Sequence, residues 1–467
     1  MLGTGSDPFP DRLTPSGPTG SRRRPKASMR RLLQPHRWRN WSRTVDCVPS
    51  HRAFPVTLEE VQAEVLRCSE ECERLRIVGR GHAFTPLCYS DENQMSLDHF
   101  TGVESVDTER RRVWVRAGTR LYRLGRMLAE RGLSLPVFSD SNRQTLGGAV
   151  ATGCHGSGRD LASLAEMVTG LRMVMPNGSV RSFSLDDEGD LFDAVRISLG
   201  VLGVVTHVEL QCCEPYRLEI RRRRETLPRV LNALDSLRSE HRHLTLFWFP
   251  FTDQVHVVSR DPTTATPGRL AQSRAMQDFF TDNLVGWGLT RLTRRLPRLA
   301  ERARLTAHRP ARDRVWVSEA HAAWGHPRWI RYVSTEAAIP VESLPQALAQ
   351  MSHLIRALKF NVHLPVAVRF APADQLWLSP AYHREVAYIA VHMPPEIPYA
   401  DFFSAMTEVF DRHQGRPHWG ALHDKSAHEL RQLYPRFDDF TALRAEVDPH
   451  GVLMNRYLGQ LLDVAEQ

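Results

Sequence analysis

The sequence predicts an α+β protein of two domains, and three observations carry that expectation. A helical pattern leads into the short run Leu75-Arg76-Ile77-Val78, which ends in Gly79-Arg80-Gly81-His82, a common way for an α/β unit to deliver a loop to a ligand. Two further glycine-punctuated runs follow in order, residues 147–158 and 198–206, each after a predicted hairpin or helix. At 467 residues the chain is long enough for more than one sizeable core.

Residues 1–40 are rich in Pro, Gly, Ser and Arg and contain Arg22-Arg23-Arg24-Pro25-Lys26 without an apolar stretch. They are expected to be disordered and not a secretory signal, with Met29 a second candidate start. The formal charge of +8 sits in this tail: residues 1–44 hold ten Lys/Arg against Asp7 and Asp11, and the remainder is balanced. Nucleic-acid binding is therefore not expected. The seven cysteines form no zinc-like pairs and no disulfide framework, so no metal site and a cytoplasmic location are expected.

Thr57 and Glu60 have capping-box spacing, and Leu58, Val61, Val65, Cys68 and Cys72 fall on one helical face. Val103 to Gly118 reads as a hairpin, with Val113, Val115 and Ala117 inward. A helix follows, with Thr119 as its cap, Leu121, Leu124 and Leu128 buried and Gly132 as its stop. Leu171 to Leu185 reads as a second hairpin with Asn177-Gly178 as a two-residue turn. A short helix through Leu191, Phe192 and Val195 leads to Ser198–Thr206 and into a strand at Val204.

The chemistry is expected at the glycine runs. Gly79 and Gly81 let the backbone turn and approach a bound group, presenting His82 at the exit of a strand. Residues 147–158 carry Gly147, Gly148, Gly153, Gly156 and Gly158 among small side chains, so backbone N–H groups can approach a phosphate or a flat ring. The run has neither P-loop nor Rossmann spacing. In Val366-Ala367-Val368-Arg369-Phe370, Ala367 and Arg369 share a face. An inward arginine there is costly unless it meets an anion, a carbonyl or hydroxyls.

These motifs, in this order, resemble flavin-dependent oxidases with the PCMH-type (vanillyl-alcohol-oxidase-type) FAD-binding fold, in the aldonolactone and alditol oxidase branch. The resemblance extends over about residues 38–460, through Asp374-Gln375-Leu376-Trp377-Leu378-Ser379-Pro380, Arg416-Pro417-His418-Trp419-Gly420 and residues 448–458. It implies an FAD-binding domain at 41–213, an α+β substrate (cap) domain at 214–420, and a segment 421–467 that returns to complete the first. It also implies FAD attached covalently through His82. Gly79, Arg80, Gly81, Ala83, Gly147, Gly148, Thr152, Gly153, Cys154, His155, Gly156, Gly158, Gly203, Val204 and Asn455 are implied around the cofactor.

Arg369 is then expected to orient an oxygenated substrate, a sugar-derived aldonolactone or alditol, whose CH–OH group is oxidised with O2 as acceptor. Two departures bear on the substrate: Ala367 and Ala421 stand where the family has a glutamate and a lysine. They leave open a non-sugar substrate, or flavin binding without turnover. His392, His418 and His423 fall in segments that would approach the pocket, and His392 and His423 are carried as candidate bases. Cys154 replaces a threonine, and a second flavin bond through it is not expected because its neighbours do not match that motif. The Arg-rich stretch 291–314 reads as a solvated amphipathic helix, with peripheral membrane contact as the alternative.

Overall fold

A computed structural model describes residues 37–139, 141–158, 160–161, 163–250, 252–268, 313–324, 331–362 and 364–464. The expectations for the tail before Arg37 and for residues 291–312 lie outside these residues.

β1 (Trp38–Arg39) and β2 (Asp46–Cys47) form a small ribbon. β3 (His51–Ala53), β4 (Leu75–Val78) and β5 (Asn93–Ser96) form a parallel sheet in the order β3-β5-β4. The helix Leu58–Glu70 leads into β4, with Thr57 Oγ1 accepting the Glu60 amide at 3.2 Å. Val61, Val65 and Cys68 are buried as expected, but Cys72 is exposed with φ +56°. The helix ends at Glu70, and the chain reverses before Cys72 can complete the stripe.

β6 (Val103–Asp107), β7 (Arg112–Arg116), β8 (Val168–Val174), β9 (Val180–Ser184) and β10 (Val204–Gln211) form an antiparallel sheet ordered β6-β7-β10-β8-β9. Both predicted hairpins are present, as β6–β7 and β8–β9. The second turn is longer than the expected two residues: Met175 N donates to Ser179 O at 2.8 Å, and Gly178 takes φ +77°. That is a three-residue loop closed by a left-handed glycine. Thr119 does not cap its helix, which spans Leu121–Ala129 behind Arg120, because its hydroxyl accepts the Gly102 amide.

β11 (Arg217–Thr226), β12 (His243–Trp248), β13 (Gln254–Thr263), β14 (Arg314–Glu319), β15 (Val333–Pro340), β16 (Val366–Ala371), β17 (Val386–Met393) and β18 (Arg416–Pro417) form an antiparallel sheet. Its order is β14-β11-β13-β12-β16-β17-β15-β18. Strand alternation divides its residues between two faces. One face buries Val366, Val368, Ile389 and Val391 against the helices Leu344–Ala357 and Ala400–Arg412, through Leu348, Met351, Phe402 and Met406. Full burial of each larger side chain contributes roughly 1.5–3 kcal/mol. The other face carries Ala367, Arg369, Tyr388, Ala390 and Glu336 and meets the glycine loops.

The late chain packs onto the early chain. Leu75 N donates to Val452 O at 2.7 Å, and Arg76, hidden in the middle of β4, donates to the carbonyls of Leu87, Leu199, Gly200 and Leu453. Arg76 is 2% exposed, and burial pushes its guanidinium down to about 10, so it stays charged at neutral pH. Among the described residues no helix is long and apolar enough to cross a membrane.

Candidate active site

Close backbone approach brings the first two glycine loops together. A Cβ at Gly79 would lie 2.1 Å from Thr145 Oγ1, and one at Gly147 would lie 2.9 Å from the Ala117 Cβ. Only glycine allows these contacts. The second run is not loop throughout: Leu146–Ala151 is a short helix, and the chain leaves it at Gly153 with φ +65°.

His82 follows Gly81, whose φ is +62°. The preceding ribbon clasps this turn: Trp41 N donates to Gly81 O at 2.8 Å, Asn40 Nδ2 to Ala83 O at 2.9 Å and Thr44 Oγ1 to Phe84 O at 2.9 Å. Trp41 stacks on His82 at 5.7 Å between ring centroids and meets Tyr332 edge-on at 5.1 Å. Burial, then the charges of Arg80, Arg143 and Arg120, push the His82 imidazole down to about 4. It is crowded on most sides, keeps part of its surface accessible and is neutral at pH 7.

Whether these residues suit a flavin dinucleotide can be tested on their unused hydrogen-bonding groups. The amides of Gly81, His82 and Ala83 have no hydrogen-bond partner among the described residues, although Gly81 turns them into a nest of donors. Gln144 Oε1 is buried without a partner while its Nε2 donates to Cys154 Sγ at 3.0 Å. Free donors, positive charge from Arg80, Arg120 and Arg143, and a buried free acceptor suit a ligand that is anionic at one end and a flat heteroaromatic at the other. FAD has that chemistry.

Not every expected residue faces this place. Gly148, Thr152, Arg80 and Ala83 are open to it or to solvent. Val204 is fully buried in the core, and Gly203 is pressed against Met173 and Val174. Gly156 lies against Phe138 O, and Gly158 donates to Phe370 O at 3.0 Å, which seats the loop on the large sheet. Asn455 caps the helix Arg456–Leu461 and donates to Pro86 O and Tyr89 O, so its side chain is fully used within the protein. Gly203 and Val204 thus pack in the core, Gly158 anchors its loop to the large sheet, and the Asn455 side chain anchors its helix. Burial pushes the Cys154 thiol up to about 11, so it is no nucleophile at neutral pH.

The C-terminal motif completes the enclosure. Phe84 N donates to Gly420 O at 2.7 Å, Thr85 Oγ1 to Trp419 O at 3.0 Å and His418 N to Glu336 O at 2.9 Å. On the sheet face, Arg369 pairs with Tyr388 in register, and Ala367, Ala390 and Glu336 form the next row across β16, β17 and β15. His155 stacks on Tyr388 at 3.6 Å. Its Nδ1 donates to Gly156 O at 2.9 Å, and its Nε2 lies 3.3 Å from Glu336 Oε1, which Arg369 Nη1 also approaches at 3.5 Å. Burial alone would raise the Glu336 carboxyl; the hydrogen bond from His155 and the charges of His155, His418 and Arg369 outweigh it and hold the group well below its usual range.

Of the candidate histidines, His418 lies nearest this cluster, 5.6 Å from His155 between ring centroids. Its Nδ1 accepts the Gly420 amide at 3.1 Å, and burial pushes it down to about 4. That lone pair is occupied and cannot take a substrate proton. His423 lies beside Trp419, with Asp424, Lys425, His418 and Glu429 as its charged neighbours. His392 shares the sheet face two residues beyond Ala390 and packs edge-on to Tyr332 at 4.8 Å. Arg369 is therefore brought into direct contact with the cluster, through Glu336. Glu336, Tyr388, Trp41 and Arg76 went unread in the sequence. A glutamate inside the apolar strand Val333–Pro340 was the signal for the first, by the same reasoning that singled out Arg369.

Comparison with known proteins identifies the family. Residues 49–184 match an FAD binding domain, and residues 208–461 match the D-arabinono-1,4-lactone oxidase family. L-gulono-1,4-lactone dehydrogenase of Mycobacterium tuberculosis is 33% identical over 91% of this chain and 99% of its own length. L-gulonolactone oxidase of Bos taurus is 28% identical over 90% and 97%. A solvent-stable cholesterol oxidase shares the fold, with a TM-score of 0.77 at 17% identity, covering 91% of this chain and 97% of the other. A match to an FAD binding domain followed by a match to the lactone oxidase family model, with a relative aligned along nearly the whole chain, means that the protein belongs to the D-arabinono-1,4-lactone oxidase family of FAD-dependent oxidoreductases acting on CH–OH groups.

Proposed function

We propose that the protein oxidises a CH–OH group of a sugar-derived 1,4-lactone, with FAD linked covalently to His82 and O2 as the final acceptor. The observation that carries this is the convergence of the His82 turn, the residue 145–158 segment and the Arg369 face through direct contacts. Bound FAD would supply the two-electron acceptor, while the protein supplies attachment, orientation and charge. His82 is suited to attachment because its neutral ring keeps a nucleophilic lone pair. Gly79, Gly81, Ala83, Gly147, Gly148, Thr152 and Gly153 would let the backbone approach the cofactor. Arg369 would hold the lactone by its oxygens.

The relatives support the lactone, since L-gulonolactone, L-gulono-1,4-lactone and D-arabinono-1,4-lactone appear in their names. Oxidases and dehydrogenases both occur among them, so the acceptor needs its own measurement.

Acid precipitation of the purified protein should leave a yellow pellet, and His82→Ala should release all its flavin on the same treatment. Anaerobic addition of L-gulono-1,4-lactone or D-arabinono-1,4-lactone should bleach the native protein, and admitting air should restore the colour. Bleaching without recovery in air would assign a dehydrogenase. No bleaching with any lactone would sink the substrate assignment.

A further inference from the structure

Resting on the lactone reading, we propose that Glu336 is the catalytic residue that receives the substrate hydroxyl, with Oε1 held by His155 and Arg369 and Oε2 left as the acceptor. Three observations carry this. In the register of β15, β16 and β17, Ala367 and Ala390 occupy the same row as Glu336 and bring no polar group, so Glu336 is the carboxylate of that face. Its Oε1 is engaged by His155 Nε2 at 3.3 Å and Arg369 Nη1 at 3.5 Å, whereas Oε2 has no hydrogen bond among the described residues and the side chain keeps 14% exposure. The two groups that hold it come from the glycine loop and from β16, so the carboxylate stands where the cofactor region meets the substrate sheet.

A carboxylate buried in a strand costs several kcal/mol unless it is paired and hydrogen-bonded. Here His155 and Arg369 compensate and keep the group ionised, with Oε2 left open as an acceptor. Bound flavin would supply the hydride acceptor for the carbinol carbon, and Glu336 Oε2 would receive the hydroxyl proton. The C–OH becomes C=O, and the proton leaves to solvent along the exposed edge of the carboxylate.

The test compares anaerobic bleaching by L-gulono-1,4-lactone in the native protein, Glu336→Gln and Glu336→Ala, with flavin content measured alongside. Glu336→Gln should hold its flavin and bleach on the order of 100-fold more slowly or worse. Sodium formate should speed Glu336→Ala by filling the gap with a free carboxylate, which a purely structural role would not allow. If Glu336→Ala loses its flavin, the decision falls to Glu336→Gln. A native protein bleached by the lactone beside a Glu336→Gln protein bleached equally fast overturns this inference alone. Slow variants without formate rescue also overturn it. A native protein that no aldonolactone bleaches overturns the lactone reading and takes this inference with it.

Discussion

The two walls of the site are built in opposite ways. The cofactor-side wall, residues 79–84 and 145–158, is made of backbone: its contacts are carbonyls, amides and the missing side chains of Gly79 and Gly147. The sheet-side wall, on β15–β17, is made of side chains from strands far apart in sequence, with Arg369, Tyr388 and Glu336 placed by register. A backbone wall can hold a large constant cofactor while its sequence stays small and uniform. A side-chain wall can change through single residues without disturbing the first.

That contrast predicts separable failures. Arg369→Met should lower kcat/KM for lactones on the order of 1,000-fold with flavin content unchanged; flavin loss in this variant would mean that the sheet also holds the cofactor. Arg76→Met removes a buried charge and strands four carbonyls, so it should cost about 3–5 kcal/mol in denaturant melts and lower flavin loading. Little change in the midpoint would show that the backbone wall does not need this knot. Gly79→Ala should clash with Thr145, and Thr145→Ala should relieve the clash, with a coupling of about 1–3 kcal/mol in a double-mutant cycle. Additive effects would mean that the two loops are not in contact.

The smallest effect is a pH dependence. His82, His418 and His423 are each pushed by burial from the ordinary 6.5 down to about 4. Between those values the unfolded chain binds more protons, so stability should fall as pH drops from about 6.5 towards 4. His207 and His321, also lowered by burial, act in the same direction, whereas Asp374, raised by burial to about 7, and Glu166 and Asp448, raised likewise, oppose it. A melting temperature that rises on acidification through this window would contradict the buried neutral histidines.

The backbone wall was the more legible in sequence, because glycine spacing is local and states its own geometry. Even there the reading missed that Leu146–Ala151 is helical, since small residues do not by themselves distinguish a tight helix from a loop. Arg369 could be singled out from strand alternation alone. Glu336 could not be joined to it, because their meeting depends on β17 lying between β15 and β16, and no short-range pattern encodes strand order. Asn455 was read as touching a ligand because it closes a recognisable motif, whereas it ties the Arg456 helix to residues 86–89.

The pairing of Leu75 and Arg76 with Val452 and Leu453 sets a timetable for biosynthesis. When the first third of the polypeptide emerges from the ribosome, its central guanidinium still lacks one acceptor and the adjoining strand one neighbour, and both arrive only once Val452 and Leu453 are translated. The nascent chain must therefore wait, half-finished, for its own far end.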